Sequence, residues 1–421
     1  MIEEIAEEPA ELLQRAAALD IGKASLVCCV RVPHESRPGA RRQEVRTYDT
    51  VTPALLELRD WLICQGVTRV VMEATSAYWK PPFYLLEDDI ECWVVNARDV
   101  KNVPGRPKTD KLDAVWLCKL AERGMLRPSF IPGRPQRQLR DLTRYRRTLT
   151  QERSREKQRA EKLLEDAQVK LSSVISDIFG VSGRDMLAAL IAGQRDPYAL
   201  ADLARKSMRA KMSVLRQALT GHFTDHHAFL LGMMLDRTDA LTAQIDALTA
   251  RIEEAIAPFA AQVAQLDEIP GVGITTAQEI LAETGTDMSR FPTPGHLVSW
   301  AKFAPKARQS AGRSKAAATG KGNPWLGGTI GEAAVSAART QTFLAARYKR
   351  IVRRRGKKRA QVAVGNSILT ITWHLLSDPG AHFTDLGPDW HDRLAPRRRK
   401  HQLIAELERL SGMKVTLHDA A

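Results

Sequence analysis

Apolar and polar positions change rhythm along the chain, and the changes divide it. Up to about residue 132, short apolar runs of strand length alternate with stretches of helical spacing. Ala17 to Ile21 is one such run, ending in Asp-Ile-Gly. Leu26 to Val32, rich in valine and cysteine, predicts a neighbouring strand. Leu55 to Cys64 is spaced as a helix, Arg69 to Glu73 and Glu91 to Asn96 read as buried strands, and Asp110 to Arg123 reads as a helix. Strands alternating with helices predict an α/β domain over residues 12–132.

Pro128, Pro132 and Pro135 mark a linker. Residues 136–170 read as helical and strongly charged. From Met234, apolar residues recur every three or four positions (Leu241, Ile245, Leu248, Ile252, Ala255) until Pro258. That rhythm suits a short coiled-coil seam or one helix of a bundle equally well. Residues 133–262 are therefore expected to be a helical spacer. A mainly helical third domain is expected over 263–390, and a basic tail over 391–421 with an amphipathic helix near His401 to Leu410.

Charge narrows the function. Hydrophobic residues make up 44% and charged residues 27%, as in a folded soluble protein, while the formal net charge is +14. An excess of that size points to a polyanionic partner, with nucleic acid the usual one. It is concentrated: Arg347 to Arg359 holds nine basic residues and no acid, and Arg134 to Lys162 holds eleven against four acids. The acidic start is not expected to be a secretory or transit signal. No run of eighteen apolar residues predicts a membrane span. Five cysteines without CxxC spacing fit reduced thiols of a cytoplasmic, nucleoid-associated protein better than a zinc site.

Four acids form the first candidate constellation. Asp20 and Glu73 end predicted strands, and Asp110 and Asp113 open a predicted helix on one face, three residues apart. Strand-end carboxylates meeting a helix face suit a two-metal site for phosphoryl transfer, with magnesium, or manganese in its place. The same residues taken singly also fit a helix N-cap and an ordinary first-turn acid. Lys108 and Lys111 flank the acids and can hold a phosphate backbone.

Further on, Ile269-Pro-Gly-Val-Gly before an apolar helix suits a helix–hairpin–helix DNA-binding element, with Gly271 and Gly273 permitting the turn and amides meeting phosphate. A plain helix–turn–helix connection reads the same way. Ser310 lies in a segment read as a loop, among Arg308, Gly312 and Arg313, with Lys321 downstream. It is either a turn residue or a nucleophile whose phosphate product positive charge stabilises. No GxxxxGK[ST] motif accompanies it. Arg353, Arg354, Arg355, Lys357 and Lys358 complete the candidate nucleic-acid contacts.

Seven segments in this order resemble DEDD-type transposases of the insertion sequence 110 family, relatives of the Piv DNA invertases: LDIGK (19–23), VVMEATSAYW (70–79), KTDKLDA (108–114), IPGVG (269–273), FAPKARQSAG (303–312), GKGNPWL (320–326) and RRRGKKRAQVAVGNSIL (353–369). The resemblance implies a RuvC-like, RNase H-type fold carrying the metal-binding Asp20, Glu73, Asp110 and Asp113. It implies a C-terminal domain whose serine, here Ser310, links covalently to a DNA 5′-phosphate. It also implies donor and target DNA as substrates, a structured guide RNA encoded by the element, and assembly as a dimer or tetramer. The chain departs from that pattern at Gly327-Gly328, where relatives often have an arginine, and at Phe303-Ala-Pro. The alternative is a RuvC-like junction endonuclease that uses the acids with water and needs no serine.

Overall fold

The computed structural model describes residues 13–96, 110–305, 308–310, 313–315, 319–394 and 396–415. At Asp110, 308–310, 313–315, 392, 396–399 and 401–402 it describes the backbone alone. The chain divides at Pro132/Gly133 into two compact units.

The first unit is built on a five-stranded mixed sheet of order β3-β2-β1-β4-β5. Its strands are β1 (Ala16–Ile21), β2 (Ser25–Pro33), β3 (Arg41–Asp49), β4 (Arg69–Glu73) and β5 (Glu91–Val95). β1 to β3 are antiparallel neighbours, whereas β4 and β5 run parallel to β1. Helix α1 (Thr52–Cys64) leads from β3 to β4, α2 (Lys80–Leu86) from β4 to β5, and α3 (Asp110–Glu122) follows.

Alternation along the strands sorts the core into two layers. Ala17, Leu19, Leu26, Cys28, Val70 and Met72 pack with Leu58, Leu62, Phe83 and Leu86 of α1 and α2. Ala16, Ala18, Cys29, Val71 and Val95 pack with Ala114, Leu117, Cys118 and Ala121 of α3. A sheet covered on both faces needs apolar residues on both sides of a strand, so Ala16 to Leu19 of β1 and Val70 to Met72 of β4 read as continuous apolar runs. β3 lies at the edge and carries Arg41, Arg42 and Arg46, charges that discourage further strand pairing.

The second unit is helical apart from a two-stranded ribbon. Its first helix, α4 (Arg134–Asp166), is followed by α5 (Val181–Ile191), α6 (Pro197–Asp202), α7 (Met212–Leu219) and the long α8 (Asp225–Ile256). α4 and α8 pair antiparallel: Leu149 packs with Leu241 and Ile245, Arg153 reaches Thr242, and Asp166 meets His227. The apolar rhythm from Met234 is thus filled by a helix of the same chain. Then come α9 (Ala260–Asp267), α10 (Ile274–Thr284), α11 (Pro294–Trp300), the ribbon β6 (Arg308–Ser310) with β7 (Arg313–Lys315), α12 (Pro324–Ala337), α13 (Phe343–Arg355), α14 (Lys357–Ser377), α15 (Trp390–Arg393) and α16 (Pro396–Ser411). Among the described residues, no helix is long and apolar enough to cross a membrane.

Candidate active site and nucleic-acid surface

The acids of the first unit are placed by register. The parallel pairing of β1 with β4 runs from Ala16↔Arg69 to Leu19↔Met72. One step further, Asp20 and Glu73 stand level at the C-terminal ends of adjacent strands. Both fall on the face shared by Ala16, Ala18 and Val71, which α3 covers.

α3 runs antiparallel to β1. The Cys118 thiol donates to the Ala16 carbonyl at 3.5 Å, and the Leu13 amide donates to the Glu122 carbonyl at 3.0 Å. From Ala16 to Asp20 a strand climbs about 13 Å; from Cys118 back to Asp110 a helix climbs about 12 Å. The start of α3, with Asp110 and Asp113, therefore comes to the strand ends that bear Asp20 and Glu73. Asp20, Glu73 and Asp113 are half-buried. Among the described residues no three His, Cys, Asp or Glu side chains already form a metal-holding group. The Asp110 side chain and Lys108 lie outside the described residues. Lys111 is exposed on the first turn of α3.

Two backbone features shape this end of the sheet. Gly22 closes the β1–β2 turn, where a Cβ would come within 2.9 Å of the Ser25 carbonyl oxygen. Ser76, in the exposed turn after Glu73, takes φ +50°, a left-handed conformation uncommon for a residue with a side chain.

The far end of α3 is anchored by a different acid. Glu122 is buried and accepts from Arg31 at 2.9 Å and from Arg41. Burial alone would raise its carboxyl pKa, but the hydrogen bonds from Arg41 and Arg31, with their charges, hold it below the usual value.

In the second unit, Ser310 is not in an open loop. It ends β6 and pairs with Arg313 of β7, with Ala311 and Gly312 between them in sequence; Arg308 pairs with Lys315. A ribbon this short and polar has no apolar alternation by which to be recognised. The side chains of Ser310, Arg308 and Arg313 lie outside the described residues.

The glycines of the Ile-Pro-Gly-Val-Gly turn differ in role. Gly271 has φ +88°, and a Cβ there would come 2.4 Å from the Ala333 carbonyl oxygen and 2.5 Å from the Ala337 amide nitrogen. It lets the turn rest on α12. Gly273 is exposed at the start of α10, with open space around it.

Asn323-Pro-Trp starts a helix: the Asn323 carboxamide oxygen accepts from the Trp325 amide at 3.0 Å and the Leu326 amide at 3.4 Å, and Pro324 opens α12. Lys321, just before this cap, is exposed. Gly328 lies against Arg147, whose terminal nitrogen a Cβ would approach to 2.9 Å. Trp325 is half-buried beneath the Arg144 guanidinium, 5.6 Å from its ring centre.

The two basic runs have opposite fates. Within Arg134 to Lys162, Arg144 binds Glu283 of α10 through two bonds of 2.7 and 2.8 Å, and Arg140 lies 3.3 Å from the same carboxylate. Arg146 donates to Gln278 at 3.0 Å, and Arg147 reaches Glu279, Thr329 and Glu332. These four arginines hold the unit together and are not free for nucleic acid, contrary to the expectation from the charge count. Burial lowers the pKa of Arg140 and Arg146.

Around Gly356, where α13 meets α14, Lys349, Arg350, Arg353, Arg354, Arg355, Lys357, Lys358 and Arg359 are all exposed. None makes an ion pair among the described residues. Gly356 itself has φ +81°, which lets the chain reverse between the two helices without a linker.

Two models of known families match the chain. Residues 17–168 match a family model described as a transposase, of the DEDD type of the IS110 group. Residues 263–349 match a second, described as a transposase of the IS116/IS110/IS902 family. Together the matches span more than half of the chain. No match was found among curated proteins.

Proposed function

The chain belongs to the IS110 family of transposases, and on that premise we propose that it cuts and rejoins DNA through a phosphoserine formed on Ser310, with four acids as the metal-binding set. Its action on DNA as a transposase follows from the family. A DEDD domain also points to a divalent metal. The metal-binding assignment rests above all on one observation: Asp20 and Glu73 stand level on adjacent parallel strands, at the sheet end to which α3 brings Asp110 and Asp113.

The mixed sheet, antiparallel on one side of β1 and parallel on the other, supports an RNase H-type reading of the first unit. Carboxylate oxygens suit magnesium, which takes a few such ligands alongside phosphate oxygens. When bound, the ion supplies Lewis-acid stabilisation of charge on the scissile phosphate.

The chain's own residues do the rest. The Ser310 hydroxyl oxygen attacks phosphorus, the bond to the 3′ oxygen breaks, and the serine proton ends on that departing oxygen by way of water. A 3′-hydroxyl and a 5′-phosphoserine result. Attack by the 3′-hydroxyl of a second strand returns the proton to serine and reseals the backbone. Bond energy is conserved in the ester, so no nucleotide cofactor is consumed.

The exposed cations at 349–359 supply sequence-independent phosphate contacts, with Lys111 and Lys321 as further ones. A structured RNA encoded by the element selects donor and target, and the working assembly is a dimer or tetramer acting at the nucleoid. Asp20→Asn and Asp113→Asn test the acid set. Each should abolish magnesium-dependent joining of donor and target plasmids by the RNA-loaded protein while leaving its thermal midpoint unchanged. Full activity in both variants would overturn the assignment, and joining after complete removal of RNA would overturn the guide.

A further inference from the structure

The segment carrying Ser310 leaves and re-enters the helical unit through two stems, and both are fastened. The outgoing stem ends α11. Lys302 takes a left-handed conformation at φ +62°, and the Phe303 amide reaches back to the Val298 carbonyl at 3.0 Å, closing the helix end. The buried Phe303 then sits on α14. A Cβ at Gly365 would come within 2.5 Å of the Phe303 ring, and the Asn366 carboxamide donates to the Phe303 carbonyl at 3.3 Å.

The returning stem lies directly on the outgoing one. A Cβ at Gly322 would come 2.8 Å from the Ala301 carbonyl oxygen and 3.0 Å from Lys302. Next in sequence, Asn323 faces two ways. Its oxygen caps α12, while its Nδ2 donates to the buried Glu283 carboxylate. Arg144 and Arg140 of α4 bind the same carboxylate. A helix cap needs only the oxygen. The donor half of Asn323 is committed to Glu283, and that bond ties the returning stem to α10 and, through Arg144 and Arg140, to α4.

We propose that Asn323, through Glu283, and Asn366, through Phe303, are positioning residues that fix the Ser310 ribbon for attack. The proposal rests on Ser310 being the nucleophile. Displacing a nucleophile by about 1 Å can cost orders of magnitude in rate, whereas most of the cations proposed to hold DNA, the eight at 349–359, lie outside the ribbon and its stems. Loosening the stems therefore slows the chemical step and spares affinity.

The test uses the full-length protein with magnesium, its co-purified RNA and saturating donor DNA. It reads the single-turnover rate of the denaturant-resistant protein–DNA adduct, alongside DNA affinity and thermal midpoint. Asn323→Asp keeps the capping oxygen but sets a carboxylate against Glu283. It should slow adduct formation at least about tenfold, with affinity unchanged. Pairing it with Glu283→Gln reverses donor and acceptor and keeps one negative charge at the pair, and should return part of the rate, since Arg144 and Arg140 lose one acceptor oxygen. Asn366→Ala, a milder change, should slow the same step.

Wild-type rates in both single variants would overturn the proposal, as would rate losses matched by equal losses of affinity or by unfolding. Ser310→Ala is run in parallel. An adduct that persists there removes the serine reading and this inference with it, whereas an adduct lost there but unaffected in the stem variants removes this inference alone.

Discussion

Two stretches of the second unit look alike in sequence and behave oppositely. Arg134 to Lys162 and Arg347 to Arg359 are both dense in arginine and lysine. The first spends Arg140, Arg144, Arg146 and Arg147 on Glu283, Gln278, Glu279 and Glu332. The second leaves eight cations, from Lys349 to Arg359, in solvent around Gly356. The difference lies in partners more than a hundred residues away in sequence. α10 brings acids to α4, whereas no acid meets the cations of the α13–α14 corner among the described residues. A local charge count measures supply and says nothing of demand. Only unsatisfied cations raise affinity for a polyanion.

Breaking the paired run should have the largest effect. Glu283→Ala leaves Arg140 and Arg144 unpaired in a buried site and should cost about 3 kcal/mol or more of stability, seen as a large fall in thermal midpoint. An unchanged midpoint would mean that the network is ornamental.

Breaking the unpaired run should leave the midpoint alone. Replacing Arg353, Arg354 and Arg355 together with alanine should weaken DNA binding and reduce the slope of log affinity against log salt by about 3. If the slope is unmoved, these cations do not meet phosphate.

Glu122 extends the comparison to the first unit. Its folded pKa is depressed. Its pairing therefore contributes stability above the ordinary carboxylate pKa, and that contribution is lost as pH falls through the folded value. Glu122→Gln should lower stability at neutral pH by roughly 2 kcal/mol and flatten the decline on acidification. An acid-unfolding profile identical to wild type would contradict the pairing.

The smallest effect is chemical. Cys64 is exposed, while Cys28, Cys29 and Cys118 are buried and Cys92 is pushed up to about 12 by burial. A thiol reagent should modify Cys64 first and spare the buried three until unfolding. Early labelling of Cys118 would show that α3 does not pack on the sheet as described.

Much of the first unit was legible because its sheet is covered on both faces. Within Ala16–Ile21 and Arg69–Glu73, the runs Ala16 to Leu19 and Val70 to Met72 are wholly apolar and buried and cannot hide. β3 was not, since its Arg-Arg-Gln-Glu segment lies at the sheet edge and shows no alternation. The four acids stood out as strand and helix ends, but their convergence depends on the register of β1 with β4 and the direction of α3, which are non-local.

In the second unit, α4 offered an unread signal. Arg146 and Glu156 fall on the same three-to-four rhythm as Leu139, Leu149 and Leu164, so they had to be buried and therefore paired. Ser310 was legible as a residue among arginines, yet the ribbon around it was not, because its pairing carries no apolar pattern. Asn323 carries no separate sequence signal, because its cap-and-latch role depends on Glu283, forty residues upstream.

The most direct test of the central claim is the trapping of a covalent protein–DNA species with magnesium present, in wild type, Ser310→Ala and Asp20→Asn. The predicted result is an adduct in wild type that maps by mass spectrometry to the peptide containing Ser310, joined to a 5′-phosphate, and no adduct in either variant. DNA cleavage that proceeds in Ser310→Ala without any adduct would contradict the serine mechanism and leave an endonuclease that uses water.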